Sequence, residues 1–411
     1  MGLMNAHHRA NLLDIYQTAL RAVNGRLLVG HFLRQRSVLS NNVVVIAIGK
    51  AATAMAEGAY DTCGQRVVAC LVITKRGYGD TVFSPSCTII ESDHPLPSAQ
   101  SLYAGDALLD FIRQAPADAQ FLVLISGGAS SLVEVLPQGI DLSDLLQLNK
   151  WLLSSGLDIS YMNALRRRMS CIKGGRLAIH LAGRSTYQLL ISDVPGDVVA
   201  DIGSGLLIPS LSVALPCEGI IPVALEGKLN LAPPVPNEQC FTSISSFIVG
   251  QSQLARAAAA QRATELGYRV YDEPEFIQGD AALAGKTLAT ALLRGPEGVY
   301  IWGGETTVNL PPTPGRGGRN QHAALAAACV LAGTHTAALL IAATDGSDGP
   351  GEDAGALVDG GTLQRGRVTG FDPVQCLQQA NSGTFLQASG DLIRTGPTGT
   401  NVMDIMLGLR I

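Results

Sequence analysis

The chain has 411 residues, 47% apolar and 15% charged, few aromatics and a formal net charge of −5. That length exceeds a single core and calls for two domains or three. The acidic balance excludes an electrostatic footprint for nucleic acid or an anionic membrane, and eight cysteines (63, 70, 87, 171, 217, 240, 329 and 376) with no Cys-x-x-Cys pair argue against zinc or a redox motif.

The N-terminus shows no charged-then-apolar leader and no apolar run reaches membrane-span length, so a cytoplasmic protein with no membrane partner is expected. Residues 6 to 35 carry a broad apolar stripe (Leu12, Ile15, Leu20, Val23, Leu27) and read as one helix or two. A repeating pattern then begins, in which short β-rich runs end in small or polar loops and lead into helices. Val43 to Ile48 is a buried type of strand, Gly49-Lys50 its turn and Ala51 to Tyr60 a helix. Strands follow in VVACLVITK and CTIIES, and another at 121–125 runs into Ser-Gly-Gly-Ala-Ser-Ser. A polar helical segment, 142–169, leads to the basic stretch MNALRRRMSCIKGGRLA and then to a strand at 188–192.

The Pro-rich, aperiodic stretch 227–240 marks a domain boundary, giving domains 1–235 and 236–411. Beyond it, SFIVGQSQLARAAAAQRATELGYRVY reads as a strand–helix–strand unit. Val299 to Trp302 is a strand expected to stop at the Gly303-Gly304-Glu305 turn, and 337–343 is another strand. The alternation predicts an α/β protein with largely parallel sheets, whose ligands sit beyond the carboxyl ends of the strands.

Those strand ends carry the candidate chemistry. Gly315-Arg316-Gly317-Gly318-Arg319-Asn320-Gln321 opens an Ala-rich helix; small residues, helix amides and guanidinium groups suit a phosphate or carboxylate. Lys50 stands at a helix start, where a cation opposes the helix dipole unless an anion lies between. The triphosphate-loop spacing fails there, because position 44 is Val and position 51 is Ala. Ser126, Gly127, Gly128 and Ser130 could wrap a phosphate, or simply begin a helix. Asp193 and Asp345 directly follow buried strands and could hold Mg²⁺ or accept a hydroxyl proton, while Asp197 and Asp348 read as turn residues. Gly304 and Glu305 could meet a metal or ribose. His94, Lys173 and Arg166 are substrate candidates, against the plainer readings of a loop hydrogen bond and a solvated basic helix face. No Gly-x-Gly-x-x-Gly and no Gly-x-Ser-x-Gly occurs, which weakens dehydrogenase and hydrolase readings.

Together the motifs AIGKAA, SDHPLPSAQSL, SGGASSL, MNALRRRMSCIKGGRLA, ISDVPGD, GGETTV, GRGGRNQ, TDGSDGP and TGPTGTNVMD resemble the glycerate 2-kinases of the MOFRL type, often named hydroxypyruvate reductases. They span Val43 to Asp404. The resemblance implies two α/β domains, a Rossmann-like N-terminal α/β/α layer and a smaller C-terminal MOFRL domain, with the active site in the interdomain cleft. It implies transfer of the γ-phosphate of ATP to the 2-hydroxyl of D-glycerate, with Mg²⁺. The family's catalytic lysine falls on Lys50 and its arginine on Arg319, with Arg316 at the rim; Asp193 is the expected base. NAD(P)H-dependent hydroxypyruvate reduction, a related hydroxy-acid kinase and a phospho-ligand binding module are the alternatives. Val198, Leu206 and Met403 stand where the family pattern has Asp, Pro and Asn. Oligomeric state is left open, a homodimer included.

Overall fold

A computed structural model describes residues 5–36, 39, 41–79, 84, 86–155, 159–181, 183–209, 221–229 and 231–411. The chain divides into two compact units, Gly25–Gly250 and a discontinuous one made of Met1–Asn24 with Gln251–Ile411. This differs from the expected division at 235/236. The Pro-rich stretch lies inside the first unit, and the N-terminal helix belongs to the second.

The first unit is built on a six-stranded sheet: β1 (Val43–Ile48), β2 (Val67–Lys75), β3 (Cys87–Ser92), β4 (Gln120–Ile125), β5 (Thr186–Ile191) and β6 (Ile244–Gly250). All its pairings are parallel, in the order β3-β2-β1-β4-β5-β6. That is the doubly wound Rossmann order, which reverses direction between β1 and β4. Both central strands are buried along their whole length, as their unbroken Val, Ile and Leu runs require. Helices Ala52–Cys63 and Ala99–Gln114 cover the sheet, and Leu108, Ile112, Phe121 and Val123 share one core. The segment 142–169 forms two helices, Leu142–Ser154 and Ile159–Arg167, around a smaller apolar cluster with Leu148, Leu152 and Leu165.

The second unit holds β7 (Val270–Asp280), β8 (Gly298–Thr307), β9 (Ala337–Ala343), β10 (Gly355–Asp359), β11 (Leu392–Ile393) and β12 (Asp404–Arg410), in the order β11-β10-β9-β12-β8-β7. Only β7 and β8 pair in parallel; every other ladder is antiparallel. The expectation of largely parallel sheets therefore fails for this unit. A fully buried strand is apolar throughout whichever way its neighbours run, so the run of apolar residues carries no direction. The strand–helix–strand reading of 246–271 also changes: β6 joins the first sheet, while helix Ser252–Glu265 and β7 belong to the second unit. Among the described residues no helix is long and apolar enough to cross a membrane.

Candidate active site

The loops after β1 and β4 meet where the strand order of the first sheet reverses, the point at which doubly wound sheets bind ligands. The Lys50 amide donates to Gly127 O at 2.9 Å, and the Ala51 amide to Ser126 Oγ at 3.0 Å. Gly49 has φ +128°, and a Cβ there would lie 2.2 Å from Ser126 Oγ, so only glycine lets the two loops close. Gly128 has φ +86°, and a Cβ on it would meet His94 Cδ2 at 3.1 Å and Lys50 Cγ at 3.3 Å. Lys50, His94 and the Gly127-Gly128 turn are thus neighbours. Ser126 is fully buried with its hydroxyl committed to Ala51, which makes it a support of the turn rather than a ligand contact.

A cavity of about 160 Å³ opens beside this turn, lined by His94, Gly128, Ser130, Ser131, Asn149, Arg166 and Lys173 among others. It has room for roughly five waters' worth of liquid, the scale of a compact polar metabolite. Lys173, only 3% exposed, is ion-paired with the fully buried Glu134. Arg166 Nε donates to Asn149 Oδ1 at 3.0 Å and its Nη1 to Asn163 Oδ1 at 3.2 Å; among the described residues it has no carboxylate partner. Burial lowers its pKa. Its neighbour Arg167 turns away and pairs with Asp201. The basic cluster therefore splits by function: one guanidinium is spent on the fold and one is turned to a polar cavity without a counter-anion. Asp193 is half-buried, two residues past the end of β5.

The second unit answers the anion question differently. Helix Arg319–Leu331 does begin at the Gly-Arg-Gly-Gly-Arg loop, but the anion at its start is the chain's own. Asp348 accepts from the Asn320 amide at 3.0 Å and the Gln321 amide at 2.8 Å. Arg319 makes a bidentate pair with Asp404, at 2.6 and 3.0 Å, and reaches Glu305 at 3.0 Å. Burial alone would lower its pKa; Asp404 and Glu305 outweigh that and raise it. Arg316 pairs with Asp353 at 2.6 Å. The expected phosphate loop is thus internally neutralised, because four carboxylates, Glu305, Asp348, Asp353 and Asp404, fold back onto it. The Gly303-Gly304-Glu305 turn is likewise absent: β8 runs on to Thr307, and a Cβ on Gly304 would lie 2.2 Å from Ile277 O, so that glycine serves strand packing. Asp345 is 3% exposed and accepts from the Ser347 amide at 2.9 Å. Arg319 and His322 nevertheless line a cavity of about 330 Å³ with Thr307, Leu310 and Pro350.

Among the described residues no three His, Cys, Asp or Glu side chains converge to hold a metal, and Asp193 and Asp345 belong to separate units. Glu134, Asn149 and Asp404 escaped the sequence reading. Each acts through a partner more than fifteen residues away, which no local spacing reveals.

Residues 11–222 match a domain of unknown function, DUF4147, and residues 298–404 match the MOFRL family. A D-glycerate 2-kinase of Thermotoga maritima is 33% identical over 381 residues, covering 90% of this chain and 91% of the relative. An Agrobacterium vitis protein named as a hydroxypyruvate reductase is 37% identical, covering 88% of this chain and 97% of the relative. The crystal structure of glycerate kinase from Thermotoga maritima superposes with a TM-score of 0.84 at 30% identity, covering 99% of this chain and 100% of that one. With a Rossmann-ordered first unit, a MOFRL second unit and this similarity along its length, the chain belongs to the DUF4147–MOFRL family of glycerate 2-kinases.

Proposed function

We propose that the protein transfers the γ-phosphoryl of ATP to the 2-hydroxyl of D-glycerate, giving 2-phosphoglycerate and ADP. The observation that carries this reading is Arg166, a half-buried guanidinium that faces a small polar cavity and whose described partners are neutral amides. A bound carboxylate supplies the missing anion in the planar geometry a guanidinium prefers. Lys173, His94 and Ser130 then surround the hydroxyl groups of a three-carbon acid. Lys50, beside Gly128, neutralises charge on the phosphoryl group, since phosphoryl transfer needs positioning and charge neutralisation above all. Asp193 takes the 2-hydroxyl proton. Arg319, held by Asp404, contributes to turnover from the second unit. Mg²⁺ in kinase sites is held largely by phosphate oxygens and water. The lack of a three-ligand cluster among the described residues suits a metal that arrives with the nucleotide.

Phosphorus NMR of the purified protein with ATP and D-glycerate tests the reaction, with NADH and hydroxypyruvate as the control. We expect 2-phosphoglycerate in the first mixture and no NADH oxidation in the second. The reverse pattern would replace the kinase with a reductase. Lys50→Ala should lower turnover about 100-fold or more with an unchanged melting temperature; near-normal turnover removes Lys50 from the chemistry.

A further inference from the structure

The two cations lining the first unit's cavity differ in standing. Lys173 is paired with Glu134, and their side chains are 4% and 0% exposed. Glu134 is fixed from two further sides: Ser170 Oγ donates to its Oε1 at 2.5 Å and the Val135 amide at 3.0 Å. Ser170 Oγ in turn accepts from the Lys173 amide at 3.1 Å, so the pair is locked to one turn of backbone. The Lys173–Glu134 pair is preformed and carries no net charge. Arg166 has Asn149 and Asn163 as its described partners, and no carboxylate. Among the described Arg and Lys residues of the lining, Arg166 therefore supplies the one uncancelled positive charge. Lys50 lies outside that lining.

We propose that Glu134 determines specificity, making the cavity select a monoanionic hydroxy acid over a dianion. This rests on reading the cavity as the hydroxy-acid site. Glu134 does not touch the ligand; it cancels Lys173 and so sets the charge the cavity can accept. A single carboxylate meets Arg166. A second anionic group finds Lys173 already paired and lies in the field of a carboxylate that water does not screen. Selectivity of this kind is built from a repulsive element as much as from an attractive one. Lys173 still presents ammonium N–H groups to ligand hydroxyls, which is the use of keeping the pair instead of two apolar residues.

Calorimetric titration with D-glycerate and with tartronate, its analogue bearing a second carboxylate, tests the idea without nucleotide or turnover. The wild-type protein should prefer glycerate by about tenfold or more, and Glu134→Gln should shrink that ratio about tenfold or invert it. Lys173→Met leaves Glu134 uncancelled and should move the ratio the other way. The double variant, with neither charge, should return to the wild-type preference, which a merely structural role of Glu134 does not predict. An unchanged ratio in Glu134→Gln at a wild-type melting temperature overturns the proposal. Should that variant not fold, an unchanged or smaller ratio in Lys173→Met overturns it equally. If the wild-type protein binds neither acid, the hydroxy-acid reading of the cavity fails and takes this proposal with it. Binding of both acids with ratios insensitive to either variant sinks the charge-selection idea alone.

Discussion

At the scale of single residues, Arg166 combines two costs that a fold alone does not justify. Its guanidinium is partly withdrawn from water, and its described partners are neutral. Desolvating a cation without an anion is unfavourable, so such a residue persists where a ligand completes it. Arg166→Met should accordingly leave the melting temperature unchanged or raise it, gaining up to about 2 kcal/mol, as when a functional site is relieved of strain. The same variant should raise the KM for D-glycerate about 100-fold, the loss of one charge-assisted contact. Scanning calorimetry beside initial rates reads both. A lower melting temperature with an unchanged KM makes Arg166 an ordinary part of its helix. The sequence offered Arg166 as a candidate among three consecutive arginines but not its surroundings, because Asn149 and Asn163 hold it and Asp201 takes Arg167 only through the fold. The position of Lys50 was legible, since it stands two residues past β1 in the turn that the Gly49-Lys50 pair marks, beside Gly128. Met403 was legible as a departure, and the structure supplies its meaning: φ is +70° there, a left-handed conformation that Asn tolerates better than Met.

At the scale of elements, the start of helix Arg319–Leu331 shows how far local chemistry can be read. Helix amides and arginines do gather anions at Gly-Arg-Gly-Gly-Arg-Asn-Gln, but the anions are Asp348, Asp353, Asp404 and Glu305. Local sequence states what a terminus wants, not which distant carboxylate folds back to supply it. Strand positions were readable for the same reason in reverse, since burial imprints itself on consecutive residues, whereas strand direction leaves no such mark. Asp348 gives this element a pH dependence. Burial raises its pKa to about 7, against the amides of Gln321 and Asn320, which lower it. Between about pH 4, where an unfolded aspartate titrates, and about 7, the native state binds a proton that the unfolded chain has released. The stability associated with the neutral acid is full below that window, declines as pH rises through it and is flat above. Asp348→Asn retains an acceptor for the two amides and removes the titration. Urea midpoints at pH 4.5, 6 and 8 should therefore fall less steeply with pH in the variant than in the wild type, with the variant ahead at pH 8. Parallel slopes would show that Asp348 is ionised throughout.

At the scale of the molecule, the second unit is assembled from both ends of the chain, so its integrity depends on residues that a purely sequential division assigns elsewhere. Helix Ala6–Ala22 buries Leu12, Ile15, Tyr16 and Ala19, and the Tyr16 hydroxyl donates to Ala343 O at 2.7 Å at the end of β9. Burial raises the Tyr16 pKa far above its usual value, with Asp345 and Asp404 adding to the effect, so it remains a donor across the accessible pH range. The same helix brings Arg9 to Asp359 and Asp391, the latter only 1% exposed, and to Leu357 O at 2.9 Å. Arg365 is the other cation on these two carboxylates, at 3.1 and 2.7 Å. Burial pushes the Asp359 pKa upward, and Arg9 and Arg365 together outweigh it and hold the carboxyl below its usual value. Removing Arg9 leaves one guanidinium for two carboxylates sheltered from water, and the helix loses its ionic attachment to β10. Arg9→Ala should cost the second unit about 1–3 kcal/mol, less than a fully orphaned buried charge because Arg365 remains. Hydrogen exchange resolved by peptide reads this where it acts: amides of Ala6–Ala22 and of β10 should exchange faster in the variant. Unchanged protection of β10 would mean that apolar packing around Leu12, Ile15 and Tyr16 alone fixes the helix and that the ion-pair network is incidental.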